Sequence, residues 1–108
     1  MIIDPSLAEP INPPIVPETN WPSLVFSITN DDSFNLVWEL ANSKKPLIAS
    51  SLITSFNNVA SGGLETFKHF FNEVCLLGEA TQDQRDNWAI LAESFHAPED
   101  FVKVIKGI

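Results

Sequence analysis

The fold is decided by residues 46–78, which read PLIASSLITSFNNVASGGLETFKHFFNEVCLLG. On both sides of the Gly62-Gly63 pair, apolar side chains recur every three or four residues, which is the period of an amphipathic helix. Pro46 suits the first turn of a helix, and Gly62 can adopt the left-handed conformation that often follows one. The pattern therefore predicts helices over residues 46–60 and 64–77, with Gly78 ending the second.

The sequence downstream of this pair carries the signals of two further helices. Thr81 and Gln84 form a capping-box pattern, which predicts a helix from Thr81-Gln82 to about His96. Pro98 is followed by two acidic residues and then by lysines, an order that suits the two ends of the helix dipole. We expect a last short helix there.

The sequence upstream, over residues 20–42, fits two structures. Asn20 and either Asp31 or Asp32 are suitable N-caps and predict short helices over residues 21–29 and 32–42. Apolar and polar residues also alternate in this region, so a β-hairpin over residues 24–40 is the alternative. We favour the helices because a two-stranded hairpin is marginal on its own and no third strand is indicated downstream.

Residues 1–19 differ in composition from the rest of the chain. Most of the prolines lie there or at its edge, and proline disfavours regular helix and sheet, so we expect an extended arm. The arm also contains Ile2, Ile3, Leu7, Ile11, Ile15 and Val16. This apolar content favours packing on its own domain or on a neighbouring subunit. Two P-x-x-P patterns, at 10–13 and 14–17, lack the basic flank typical of ligands for SH3-like domains.

Together these signals predict an all-α fold: a bundle of five or six short helices over residues 20–108 with an extended Pro-rich arm over 1–19. The alternative is an α+β fold that contains the hairpin. The inward faces of the predicted helices supply the expected core, which includes Trp38, Leu52, Phe56, Phe67, Phe70, Phe71, Trp88, Leu91 and Phe95.

The charge balance disfavours several classes of function. The 108 residues carry 6 basic and 14 acidic side chains, a formal net charge of −8, which disfavours binding to nucleic acid or to anionic membranes. The N-terminus does not resemble a signal peptide, and no apolar run is long enough to span a membrane. Cys75 is the only cysteine, and we expect a reduced, buried thiol in a cytoplasmic protein. We expect no cofactor.

The helix predicted over residues 46–60 has an outer side without a charged residue. It consists of Ser50, Ser51, Thr54, Ser55, Asn57 and Asn58. Solvated helix faces usually carry charged residues, whereas protein interfaces are depleted in them. Leu76 and Ile90 also fall on outer faces and join the predicted interface. The alternative is that this helix is central and is contacted on both sides within one chain.

Two small clusters are candidates for ligand binding. Glu65, His69 and Glu73 form an i, i+4, i+8 stripe that could hold a metal ion, but it lies on the expected solvent face of one helix, so we predict no metal site. Lys44 and Lys45 precede the helix at Pro46 and could hold an anion together with its free amides. We favour a solvated loop there.

The function predicted from these features is a non-enzymatic interaction module that forms a homodimer or binds another protein. A small ligand-binding domain or an enzyme, using the acidic-histidine stripe or the lysine pair, is the alternative. The general plan of the chain, a Pro-rich leader with Asn20-Trp21 at a helix start and a small α-domain, resembles small accessory proteins of phage-derived gene clusters. An accessory role of that kind is a further alternative.

Overall fold

The computed structural model describes residues 18–108, and within that range it contains six α-helices and no strand. The helices are α1 (Trp21–Thr29), α2 (Asp32–Lys44), α3 (Pro46–Asn58), α4 (Leu64–Leu77), α5 (Gln82–Ser94) and α6 (Glu99–Lys106), and a 3₁₀ turn, Val59–Ser61, extends α3. The all-α prediction is confirmed. The alternative hairpin over residues 24–40 is wrong, because these residues lie in α1 and α2. Residues 1–17 of the predicted arm lie outside the described residues.

Local capping explains where α2 and α5 begin. The Asp31 carboxylate accepts a hydrogen bond from the Phe34 amide at 3.0 Å, which satisfies one of the free donors of α2. At α5 the predicted capping box forms in both directions: the Gln84 amide donates to Thr81 Oγ1 at 3.1 Å, and the Thr81 amide donates to Gln84 Oε1 at 2.9 Å. Pro98 is the N-cap of α6 rather than its first residue.

The end of α4 differs from the usual arrangement, in which a glycine adopts the left-handed conformation. Glu79, with φ of 56°, takes that conformation, whereas Gly78 precedes it with φ of −87°. Gly78 is required for a different reason: a Cβ at this position would lie 2.2 Å from the carbonyl oxygen of Val37. The glycine therefore allows α4 to pack closely on α2.

One hydrophobic core joins all six helices. Trp88 of α5 is completely buried and contacts Phe34 and Phe71 edge-on, with ring centroids 5.4 and 6.0 Å apart. Five of the predicted core residues are fully buried: Leu52, Phe56, Phe67, Phe71 and Trp88. The other four pack against the core but stay half-buried, because they lie where the inward face of a helix meets its solvent face: Trp38, Phe70, Leu91 and Phe95.

A polar cluster connects the start of α2 to the core. The indole N–H of Trp88 donates to Asp31 Oδ1 at 3.1 Å and to Ser33 Oγ at 2.9 Å, and the Ser33 hydroxyl donates to the same carboxylate. Burial raises the pKa of Asp31, but the hydrogen bonds from Ser33, Phe34 and Trp88 outweigh it and hold the pKa below its usual value. The buried indole is thereby satisfied by a charged helix cap.

Arg85, the only arginine of the chain, closes the C-terminal end of α6. Its Nε donates to the Ile105 carbonyl at 2.8 Å, and its Nη2 donates to the Val104 carbonyl at 2.9 Å and to Asn72 Oδ1 at 2.8 Å. The Val104 carbonyl also accepts from the Gly107 amide at 3.1 Å. Arg85 adds donors to the carbonyls of the last turn and complements the negative end of the helix dipole. The guanidinium also lies 5.2 Å from the Phe71 ring centroid.

Candidate functional site

The outer side of α3 borders a groove that α4 closes on its far edge. The turn at Gly62-Gly63 folds the chain back, so that α4 packs along α3 and leaves a cleft of about 370 Å³. We call it the α3–α4 groove. It is lined by Ser50, Ser51, Thr54, Ser55, Asn58, Gly63, Thr66 and Phe70, none of which is charged.

Three of the five hydroxyl groups that line this groove donate their hydrogens within α3 itself. Ser50 Oγ donates to the Pro46 carbonyl at 3.0 Å, and Thr54 Oγ1 donates to the Ser50 carbonyl at 3.3 Å. Ser55 Oγ donates to the Leu52 carbonyl at 2.8 Å. A polar group that is already hydrogen-bonded costs less to remove from water than a free one. Another protein surface can therefore cover this side of α3 at a small desolvation cost.

The predicted interface residues do not form a single surface. Ser50, Thr54 and Asn58 are exposed and Ser51 is half-exposed, as expected for an outer side. Ser55 is only 5% exposed, because α3 is packed between α2 and α4, so it offers little surface to a partner. The helix α3 is thus central in the fold and still keeps an uncharged exposed strip, formed by Ser50, Ser51, Thr54 and Asn58.

Leu76 and Ile90 lie away from that strip. Leu76 is 74% exposed and borders a separate groove together with Cys75 and Arg85. Ile90 is 62% exposed on α5 and borders neither of these grooves. The sequence groups Leu76 and Ile90 with the α3 residues because all of them fall on outer helix faces, but the fold does not bring the two sets together in space.

Two further uncharged grooves flank α1, and sequence reasoning did not identify them. One, the α1–α3 groove of about 660 Å³, is lined by Trp21, Pro22, Val25, Phe26, Thr29, Phe56, Asn57 and Ala60. The other, the α1–α5 groove of about 450 Å³, is lined by Pro22, Ser23, Phe26, Ser27 and Phe95. Phe26 stands between them and is 68% exposed. The available signal was the absence of charge from residues 19–30 as well as from residues 46–64.

The lysine pair does not converge on the N-terminus of α3. Lys44 Nζ donates to the Leu77 carbonyl at 2.8 Å and lies 3.6 Å from the Glu79 carboxylate, so its charge serves the C-terminal end of α4. Lys45 is the N-cap residue of α3 and makes no side-chain capping bond. With Lys44 engaged elsewhere, the anion site considered from the sequence loses one of its two cations.

The acidic-histidine stripe remains on the outside of α4. Glu65 and His69 are exposed, Glu73 is half-exposed, and the His69 ring packs edge-on against Phe70 with centroids 5.1 Å apart. Across residues 18–108, no three histidine, cysteine or acidic side chains come close enough together to hold a metal ion.

Cys75 is a buried free thiol that borders the same groove as Arg85. Burial raises the pKa of this thiol to about 11, and the positive charge of Arg85 only partly opposes that shift. A thiol with so high a pKa is almost wholly protonated at neutral pH and is a poor nucleophile.

Comparison of the chain with protein-family models, with curated proteins and with solved structures finds no match. None of the helices in the described part is long and apolar enough to cross a membrane. Function is therefore inferred from the surfaces that the folded chain exposes.

Proposed function

We propose that the protein is a non-enzymatic interaction module that self-associates through the α3–α4 groove and the exposed strip of α3. The observation that carries this proposal is the uncharged lining of the groove in a chain whose formal net charge is −8. We also propose a cytoplasmic location, which agrees with a single cysteine buried as a free thiol.

Electrostatics favours this surface for contact between two copies. Two chains of charge −8 repel each other, and that repulsion is smallest where neither copy presents a charged side chain. The α3 strip meets this condition, and its Ser50 and Thr54 hydroxyls already donate within the helix. Small side chains along the strip also allow two helix backbones to approach closely.

The chemistry of the groove supports binding rather than catalysis. Among the described residues that line it, none is acidic, basic, histidine or cysteine, so no lining side chain can act as a general base for the serine and threonine hydroxyls. Phe70 gives the groove one half-buried aromatic side chain, which can anchor a partner.

A symmetric pair is the simplest assembly that this surface can form, because one patch then contacts its own copy. A stable dimer buries roughly 1,200–2,000 Å² in total. Sedimentation velocity at micromolar concentration should give a mass near twice 12.0 kDa. A species of 12.0 kDa over the whole concentration range would contradict self-association.

A charge placed on the strip tests which surface is used. Thr54 is exposed in the middle of α3, so Thr54→Glu should leave the fold intact. In a symmetric contact it brings two carboxylates into a dry interface, and we expect at least about tenfold weaker dimerisation. Asn87→Glu is the matched control, because Asn87 is exposed in the middle of α5. Equal effects of the two substitutions would place the interface elsewhere.

A further inference from the structure

The α1–α3 groove has the lining of a receptor for a proline-rich peptide. Trp21 is held in place by an edge-on contact with Phe101, with centroids 5.2 Å apart, and Phe56 forms a buried floor that is 1% exposed. Phe26 forms one wall and is 68% exposed. Grooves with rigid aromatic walls bind polyproline II segments, which are already extended and lose little entropy on binding.

The chain enters the described structure beside this groove. Thr19 Oγ1 donates to the His96 carbonyl at 2.6 Å, and the Asn20 amide donates to the Phe95 carbonyl at 3.1 Å. These bonds hold the chain against the end of α5, immediately before Trp21, which lines the α1–α3 groove, and Pro22, which lines both grooves that flank α1. The segment that precedes residue 18 is thus tethered next to both grooves.

The length of the preceding segment matches the groove. The α1 wall runs from Trp21 to Thr29, which spans about 12 Å at ~1.5 Å per residue. A polyproline II segment advances about 3.1 Å per residue, so four or five residues cover this wall. Residues 10–17 supply that length and leave Glu18 to Asn20 for the reversal into α1.

The composition of that segment suits the groove as well. Residues 10–17 read PINPPIVP, in which four prolines have no amide donor that burial would leave unsatisfied. Residues 1–17 carry two acidic and no basic side chains. The α1–α3 groove is uncharged and presents no carboxylate to these acidic residues, whereas a groove near α6 presents Glu93 and Glu99 beside two lysines, and one near α4 presents Glu79 beside Arg85.

We propose that the α1–α3 groove binds the chain's own Pro-rich segment, residues 10–17, and that this contact covers Phe26. The tether makes the binding intramolecular, which raises the effective concentration of the segment at the groove. This inference does not depend on the α3–α4 groove being a dimer interface.

Disulfide trapping in the full chain tests this docking. Asn12→Cys is combined either with Ala60→Cys, in the α1–α3 groove, or with Ser27→Cys, in the α1–α5 groove on the other flank of α1. Cys75 does not interfere near pH 8, because it is buried and its pKa is raised to about 11. The closure rates are normalised to the reactivity of each cysteine with glutathione. The Asn12–Ala60 pair should then form its disulfide within one chain several-fold faster than the Asn12–Ser27 pair.

Substitution of the exposed aromatic wall provides the second measurement. Phe26→Ser should slow closure of the Asn12–Ala60 pair to the rate of the Asn12–Ser27 pair, whereas Leu47→Ser, at an exposed position of α3 outside the groove, should not. Equal closure rates in the parent would overturn the proposal. A covalently linked dimer as the main product would also overturn it, since the arm would then bind the groove of a second copy.

Discussion

At the scale of single residues, Asp31 joins helix capping to core packing. Its carboxylate accepts from the Phe34 amide, from Ser33 and from the buried Trp88 indole, and one acidic side chain therefore serves both α2 and α5. The sequence predicts the cap, because Asp before a helix is a local signal. It does not predict the contact with Trp88, which lies 57 positions further along the chain.

Asp31 should make stability depend on pH in the acid range. Because its pKa in the folded chain lies below the ordinary value of 3.8, its contribution is fully present above that value and is lost as the pH falls through the folded pKa. Asp31→Asn keeps an acceptor oxygen but cannot titrate. Thermal melts between about pH 5 and pH 2 should therefore show a smaller loss of stability for Asp31→Asn than for the parent.

Alanine at the same position separates capping from charge. Asp31→Ala removes the acceptor altogether and should cost about 1–2 kcal/mol of unfolding free energy near neutral pH. Asp31→Asn should cost less there. If the parent and Asp31→Asn lost stability in parallel on acidification, the carboxylate would not be the titrating group.

At the scale of helices, local sequence signals set the helix boundaries, whereas contacts between helices decide which side chains are buried and where they lie. The helices begin and end within about two residues of their predicted limits, because caps, prolines and glycines act over three or four residues. Position on a helical wheel does not show how many neighbours a helix has. For this reason the sequence did not predict that Ser55 is buried or that the Lys44 ammonium group lies at the end of α4. The sequence of residues 20–42 does not decide between helix and hairpin, because its apolar residues fit the period of either structure.

The crossing of α2 and α4 should be sensitive to one methyl group. Gly78→Ala would place a Cβ 2.2 Å from the Val37 carbonyl oxygen and 2.5 Å from Val37 Cγ1. The two helices must then separate, and we expect a loss of about 1–3 kcal/mol or more, as for other overpacked sites. Denaturant unfolding measures this loss.

The adjacent residue, Glu79, provides a control whose substitution by glycine should not lower the stability. Glu79 adopts a left-handed conformation that is unfavourable for a residue with a Cβ, so Glu79→Gly should relieve strain. Its ion pair with Lys44 joins two exposed side chains and contributes little. We expect Glu79→Gly to equal or exceed the parent in stability. A Gly78→Ala variant as stable as Glu79→Gly would contradict the close approach of α2 and α4.

At the scale of the whole molecule, the proposed function rests on the distribution of charge. The chain has a formal net charge of −8, yet residues 19–30 and 46–64 carry none of it, and the three uncharged grooves lie along the helices that these residues form. The net charge and the absence of charged residues from α3 both follow from the sequence alone. The alignment of α1 with the end of α3 was not, because it depends on how the helices pack around Phe56 and Phe101.

This charge distribution predicts how salt affects the proposed dimer. Two chains of like charge repel at long range, whereas the uncharged contact surface gains nothing from opposite charges. Raising the ionic strength from about 0.01 M to about 0.3 M shortens the screening length from roughly 30 Å to under 10 Å and weakens that repulsion. The dimer dissociation constant measured by sedimentation should therefore decrease with added sodium chloride.

The dependence of this constant on salt should become smaller near the isoelectric point of about 4.4, where little net charge remains to be screened. A dissociation constant that rises with salt would show instead that ion pairs hold the two copies together, which the α3 strip cannot supply.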